Sequence, residues 1–175
     1  METEYKRLKT VDINNAIKLI NSAYAKTNIE FLGDPNRVDS ASIHELLKEG
    51  VADCLYCKES QELLAIVFQV FEEKPYLSSF LHLVSVPPKH QGKGLATQIL
   101  ELTLDMHKKQ GVRTVRLNIL GKEKGECTYT KGLVKFYSQF GFQLNGSQKM
   151  SVVYPEESLK AQIPLVVHNL ELHFQ

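Results

Sequence analysis

In the stretch Val86–Leu100, VPPKHQGKGLATQIL, an apolar strand stops and an amphipathic helix begins. Proline cannot donate to a sheet ladder, so Pro87-Pro88 ends the preceding strand, FLHLVSV. Leu95, Ile99, Leu102 and Met106 then recur at helical spacing, which predicts a helix from about Gln91 to Gln110. Between strand and helix stand Gly92 and Gly94 on either side of Lys93. The spacing is not that of a P-loop, and Thr97 stands where a dinucleotide fingerprint needs its third glycine. The parts of an anion site are nevertheless present. Glycine lets backbone approach a ligand, and the helix start offers unpaired N–H groups at the positive end of its dipole. Taken alone, the stretch reads as a structural turn before it reads as a phosphate cradle.

The elements around it alternate. Upstream, Ile13, Ile17, Ile20 and Tyr24 share a helical face after Asp12, a suitable N-cap. The polar run KTNIEFLGDPNRVD reads as a loop, and Ser42 with Glu45 has capping-box spacing for a helix through Lys48. VADCLYCK and LLAIVFQVF read as strands joined at ESQE, the second apolar enough to be covered on both faces. Downstream, Gly111 suits a helix C-cap and TVRLNIL is a strand. Leu133, Phe136, Tyr137 and Phe140 make the face of a helix that Gly141 stops, and KMSVVY reads as a further strand. The pattern predicts one α/β domain with a mixed sheet over residues 1–155. The segment 156–175 is an extension suited to adding a strand, covering a site or pairing with another subunit.

Composition narrows the function. The chain has 175 residues, 43% hydrophobic and 23% charged, which is ample for a core. A net charge of +1 gives no pull toward nucleic acid or membrane surfaces. No apolar run approaches the roughly 18 residues of a membrane span. The charged start METEYKRLKT lacks a signal-peptide core, so the expected compartment is the cytoplasm, with the nucleus also open. Of the three cysteines, Cys54 and Cys57 form a C-x-x-C. In a strand those positions point to opposite faces and share no ligand, so no metal is expected.

Two motifs carry a family resemblance. Gln91-Gly92-Lys93-Gly94-Leu95-Ala96, following Val84-Ser85-Val86, resembles the Q/R-x-x-G-x-G/A signature of the GCN5-related N-acetyltransferase (GNAT) superfamily. Further on, LVKFYSQFGF resembles its second signature, F-Y-x-x-x-G-F. The resemblance implies a mostly antiparallel central sheet flanked by helices, with a splayed pair of parallel strands that binds acetyl-CoA as co-substrate. The backbone of Val84, Ser85 and Val86 would pair with the pantetheine arm as an extra strand does. Amides of Gln91, Gly92, Lys93, Gly94, Leu95, Ala96 and Thr97 would hold the pyrophosphate, with Lys89 and Lys93 nearby. A strand N–H also suits the oxyanion formed when an amine attacks the thioester.

The same resemblance assigns Tyr137 as the acid that protonates the departing thiolate. LHLVSV is similar to the corresponding strand of arylalkylamine N-acetyltransferases, which makes His82 either the base or a buried bystander. Phe80 stands where many members carry glutamate or a second histidine. Thr130 replaces an asparagine common ahead of the acid tyrosine. For the acceptor, Tyr24, Glu30 and Phe31 are candidates, with Asp34 and Arg37 in the same region. The implied function is transfer of an acetyl group from acetyl-CoA to a primary amine, of a small molecule or a peptide, by a monomer or homodimer. A catalytically inactive acyl-CoA-binding sensor is the alternative, and a nucleotide-binding regulatory domain is a third.

Overall fold

The computed structural model describes residues 1–72 and 77–174; residue 175, the last of the C-terminal extension, lies outside them. Among the described residues, seven strands form one sheet in the order β1-β2-β3-β4-β5-β7-β6. The strands are β1 (Thr3–Arg7), β2 (Gly50–Cys57), β3 (Leu63–Glu72), β4 (Ser78–Ser85), β5 (Thr114–Lys122), β6 (Gln143–Lys149) and β7 (Leu165–His173). Only β4 and β5 run parallel; the other pairs are antiparallel. This is the mixed sheet expected from the sequence.

Helices α1 (Ile13–Leu32) and α2 (Ser40–Glu49) cover one face, and α3 (Leu95–Lys109) and α4 (Thr128–Ser138) cover the other. β3 lies between the layers. Ile66 and Phe68 pack toward α1 and α2, while Leu64 and Val67 pack toward α3 and α4. Fully burying side chains of this size stabilises the fold by about 1.5–3 kcal/mol each. Cys54 packs in the first layer and Cys57 against the second, so they do lie on opposite faces.

Four boundaries differ from expectation. The stretch expected to be a loop from residue 26 is helical through Leu32, because Asn28 and Phe31 extend the buried face of α1. The box that starts α2 is Asp39 with Ser42, not Ser42 with Glu45: Asp39 accepts the Ser42 N–H at 2.8 Å. α3 begins at Leu95 rather than Gln91, since Gly92 and Gly94 take φ of +73° and +76° and cannot continue a helix. KMSVVY is not a strand. The strand is the wholly exposed QLNGSQK, and Met150–Val153 form a helical turn that buries Met150 beside Phe31, Leu165 and Val167. The C-terminal segment supplies β7, which lies between β5 and β6 and pairs with both.

Candidate active site

β4 and β5 pair only as far as Leu81 and Leu117. Beyond that point β4 bulges. Phe68 lies opposite His82 but Ile66 lies opposite Ser85, so β4 carries one residue too many. Leu83 takes the slack at φ +53°, a left-handed conformation costing a side-chain-bearing residue about 1–2 kcal/mol. A bulge bends its strand, and this one turns β4 away from β5. The gap holds a cavity of about 420 Å³. Its wall takes Phe80–Val84 from β4, Asn118–Leu120 from β5, Tyr24 and Phe31 from α1, and Tyr129, Phe136 and Tyr137 from α4. As α1 and α4 lie on opposite faces, the gap opens through the sheet.

Tyr137 enters this gap from α4. It is 7% exposed, with Phe136 and Phe142 edge-on at 5.2 and 5.8 Å. Its hydroxyl has no hydrogen-bond partner among the described residues. Burial, with Tyr24 and Tyr129 close by, pushes its pKa well up, so the phenol keeps its proton and can only donate it. His82 lines the same cavity, its ring 4.5 Å from that of Phe80. Burial, helped by the Arg37 charge, lowers the imidazole pKa, leaving a neutral ring that can accept a proton. A group that only donates and a group that accepts therefore share one space.

Tyr24 reaches across from α1 and donates to the Val84 carbonyl at 3.2 Å. Its own pKa is raised by burial and by Tyr129. Phe31, 1% exposed, forms part of the wall. Glu30 does not line the cavity; its carboxylate pairs with Lys122 at 2.7 Å. The Ser85 hydroxyl donates to the Leu83 carbonyl at 2.8 Å and closes the bulge. Val86 is buried, and its carbonyl accepts from the Gln91 side chain at 3.0 Å.

The glycine loop follows. Pro88–His90 form a single 3-10 turn, and Gly94 occupies the N-cap of α3, where no side chain caps the helix. The first N–H groups, at Leu95, Ala96 and Thr97, are thus open to a ligand. A Cβ at Gly92 or Gly94 would meet nothing within 4 Å, so the glycines serve the backbone turn. Lys89 is engaged by Glu62, which also lies 3.2 Å from His90; Lys93 sits 3.4 Å from the other nitrogen of His90. Thr130, in place of the usual asparagine, donates to the Leu120 carbonyl at 3.0 Å and ties α4 to β5.

Sequence reasoning missed Tyr129, Asn118 and Tyr154 in the wall. Tyr129 was legible: with Leu133, Phe136 and Tyr137 it continues one helical face backwards. Asn118 donates to the Tyr154 hydroxyl at 2.9 Å, a contact made only once the segment after β6 folds back over β5. Nothing local announces it.

A splayed parallel strand pair, a bulge and an uncapped glycine-led helix together give the architecture of a GNAT fold. Residues 51–144 match the family model of the acetyltransferase (GNAT) domain, and the chain belongs to that family. No curated protein matches it by sequence. Among solved structures it is similar to the ribosomal-protein-S18-alanine N-acetyltransferase of Escherichia coli at 16% identity, over 98% of this chain and 94% of that one, with a TM-score of 0.74. It is also similar to Arabidopsis thaliana Naa50 in complex with the bisubstrate analogue CoA-Ac-MVNAL, at 15% identity over 99% and 100% of the chains, TM-score 0.69. A GNAT family acetyltransferase from Elizabethkingia anophelis with acetyl-CoA bound is 14% identical over 98% of each chain, TM-score 0.67. At such identities the likeness is one of fold.

Proposed function

We propose that this protein is an N-acetyltransferase that moves an acetyl group from acetyl-CoA to a primary amine by direct attack on the thioester. The observation that carries this reading is the gap itself. Among the described residues the β5-facing edge of β4 has no partner strand beyond Leu81, and Tyr137 and His82 both open onto the cavity beside it. Such an edge can hold an extended amide-bearing arm by strand addition. The uncapped start of α3, with the amides of residues Gln91 to Thr97, suits a pyrophosphate. Acetyl-CoA supplies the activated acyl group.

The chain's own residues then divide the proton work. His82, neutral, takes a proton from the acceptor ammonium directly or through water. Tyr137, protonated, donates to the leaving sulfur. Strand N–H groups at the bulge stabilise developing negative charge on the carbonyl oxygen. Tyr24 fixes the Val84 carbonyl and so the register of the edge. Release of free thiol from acetyl-CoA against a panel of amines tests the reading. The panel spans arylalkylamines, polyamines, amino sugars, amino acids and peptides; release with one class is expected. CoA binding without release for any class would favour a non-catalytic acyl-CoA-binding module.

A further inference from the structure

The wall of the cavity has one sign of charge among the described residues. Among the described residues it contains four tyrosines, His82 and Arg37, and no aspartate or glutamate. The carboxylates closest to Arg37 in sequence are engaged elsewhere: Asp39 accepts the Ser42 N–H at 2.8 Å, Asp34 accepts the Asn36 N–H at 2.8 Å, and Glu30 pairs with Lys122 at 2.7 Å. Arg37, by contrast, has no ion-pair or hydrogen-bond partner for its guanidinium among the described residues.

Arg37 is also held in place. Asn21, on α1, accepts the N–H groups of Arg37 and Val38 at 2.8 and 2.9 Å and donates back to the Val38 carbonyl at 2.9 Å. Asn28, only 6% exposed, donates to the carbonyls of Asp34 and Asn36 at 2.8 and 3.1 Å. Two asparagines on a helix face thus clamp the loop by its backbone and leave the arginine's planar fork unengaged at the cavity.

We propose that Arg37 reads a carboxylate on the acceptor, so that the amine to be acetylated belongs to an amino acid or a related amino-carboxylic acid rather than to a polycation. This rests on the acetyltransferase reading and names its substrate class. A guanidinium binds a carboxylate with two parallel hydrogen bonds, which fixes orientation as well as position. With no carboxylate in the wall, a polyamine or lysine-rich peptide would bring positive charge to an uncompensated cation. The same cation opposes an acceptor ammonium and favours the free amine that attacks. It acts on His82 in the same sense.

The test compares leucine, phenylalanine and glutamate with their carboxamides as acceptors, and a matched aminophosphonate with each acid. Turnover is read alongside calorimetric binding of the same compounds to the CoA-saturated protein. A charged hydrogen-bonded pair lost with the amide predicts at least about a tenfold preference in kcat/KM for one of the acids. In Arg37→Gln the acid-to-amide ratio falls toward one, while Arg37→Lys retains part of it. Amides used as well as acids, phosphonates preferred to carboxylates, or a rise in the acetyl-CoA KM larger than that of the acceptor in Arg37→Gln would each overturn the proposal while leaving acetyl transfer intact. Arg37-dependent binding of an acid with no turnover would sink the acetyltransferase reading and keep the carboxylate site. Absence of both binding and turnover for every acid would overturn the proposal.

Discussion

Two buried polar clusters flank β3 and β4, and they are built in opposite ways. On the α3 face, Asp53 is fully buried, accepts from Gln69 and from Thr103 at 3.0 Å, and forms an ion pair with the Arg7 guanidinium at 2.8 Å. His107 completes the chain through Gln69 at 2.5 Å. In the gap between β4 and β5, Tyr137 and His82 have no hydrogen-bond partner among the described residues, and Tyr24 spends its hydroxyl on the strand edge. In the first cluster Asp53, Gln69, Thr103 and His107 bond one another and hold the sheet to α3, with His107 Nδ1 left without a partner among the described residues. The second holds polarity in reserve, which costs stability unless a ligand uses it.

That contrast predicts which measurement each cluster moves. The largest effect expected is on stability. Asp53→Ala strands Arg7, Gln69 and Thr103, and urea unfolding should register a loss of about 3 kcal/mol. Turnover per folded molecule should hold. Should that variant fail to fold, Thr103→Val removes one bond for about 1 kcal/mol. Normal stability in both would break the comparison at its structural end.

Next comes Tyr137→Phe, which should lower kcat about 100-fold, the usual scale of general acid catalysis, with little change in acetyl-CoA KM or melting temperature. Unaltered kcat would return Tyr137 to a packing role. A smaller effect follows from His107, whose pKa burial pushes down from 6.5 to about 4. The folded state then binds fewer protons than the unfolded one, so stability is complete above pH 6.5 and is lost as the pH falls toward 4. At pH 5 the loss from this group is about 2 kcal/mol, and His107→Gln should flatten that part of the stability curve. The smallest effect belongs to His82→Gln, a loss in rate below the roughly 100-fold low end of general acid–base catalysis. In the parent protein kcat/KM should fall with acid through a midpoint below the ordinary imidazole value, because the His82 pKa is lowered. Persistence of that limb in the variant would assign it to another group.

The elements that sequence resolves are those whose side chains face a core on one side or both. β2, β3, β4 and β5 carry their own apolar patterns, and the glycine loop and Tyr137 lie in motifs with fixed spacing. Where polarity serves tertiary structure the pattern fails. Asn28 interrupts the apolar face of α1, because it holds the Arg37 loop, and so the helix end was hidden. β6 is exposed along its whole length and shows no alternation at all; only its pairing with β7 makes it a strand. Arg37 and Tyr154 reach the cavity through folds of the backbone that no periodicity records.

The position of β7 also sets an order of events in synthesis. Among the described residues β6 pairs with β7 alone, and β5 has β7 as its only neighbour besides the short Ser78–Leu81 contact with β4. A ribosome therefore makes β5 and β6 well before the strand that joins them, and that half of the sheet waits with its edges bare. Such long-range closure is slow and exposes the nascent chain. The wall of the cavity on the β5 side is among the last parts to assemble. Capture of a CoA ligand by a nascent chain would thus report that residues 165–173 have left the ribosome.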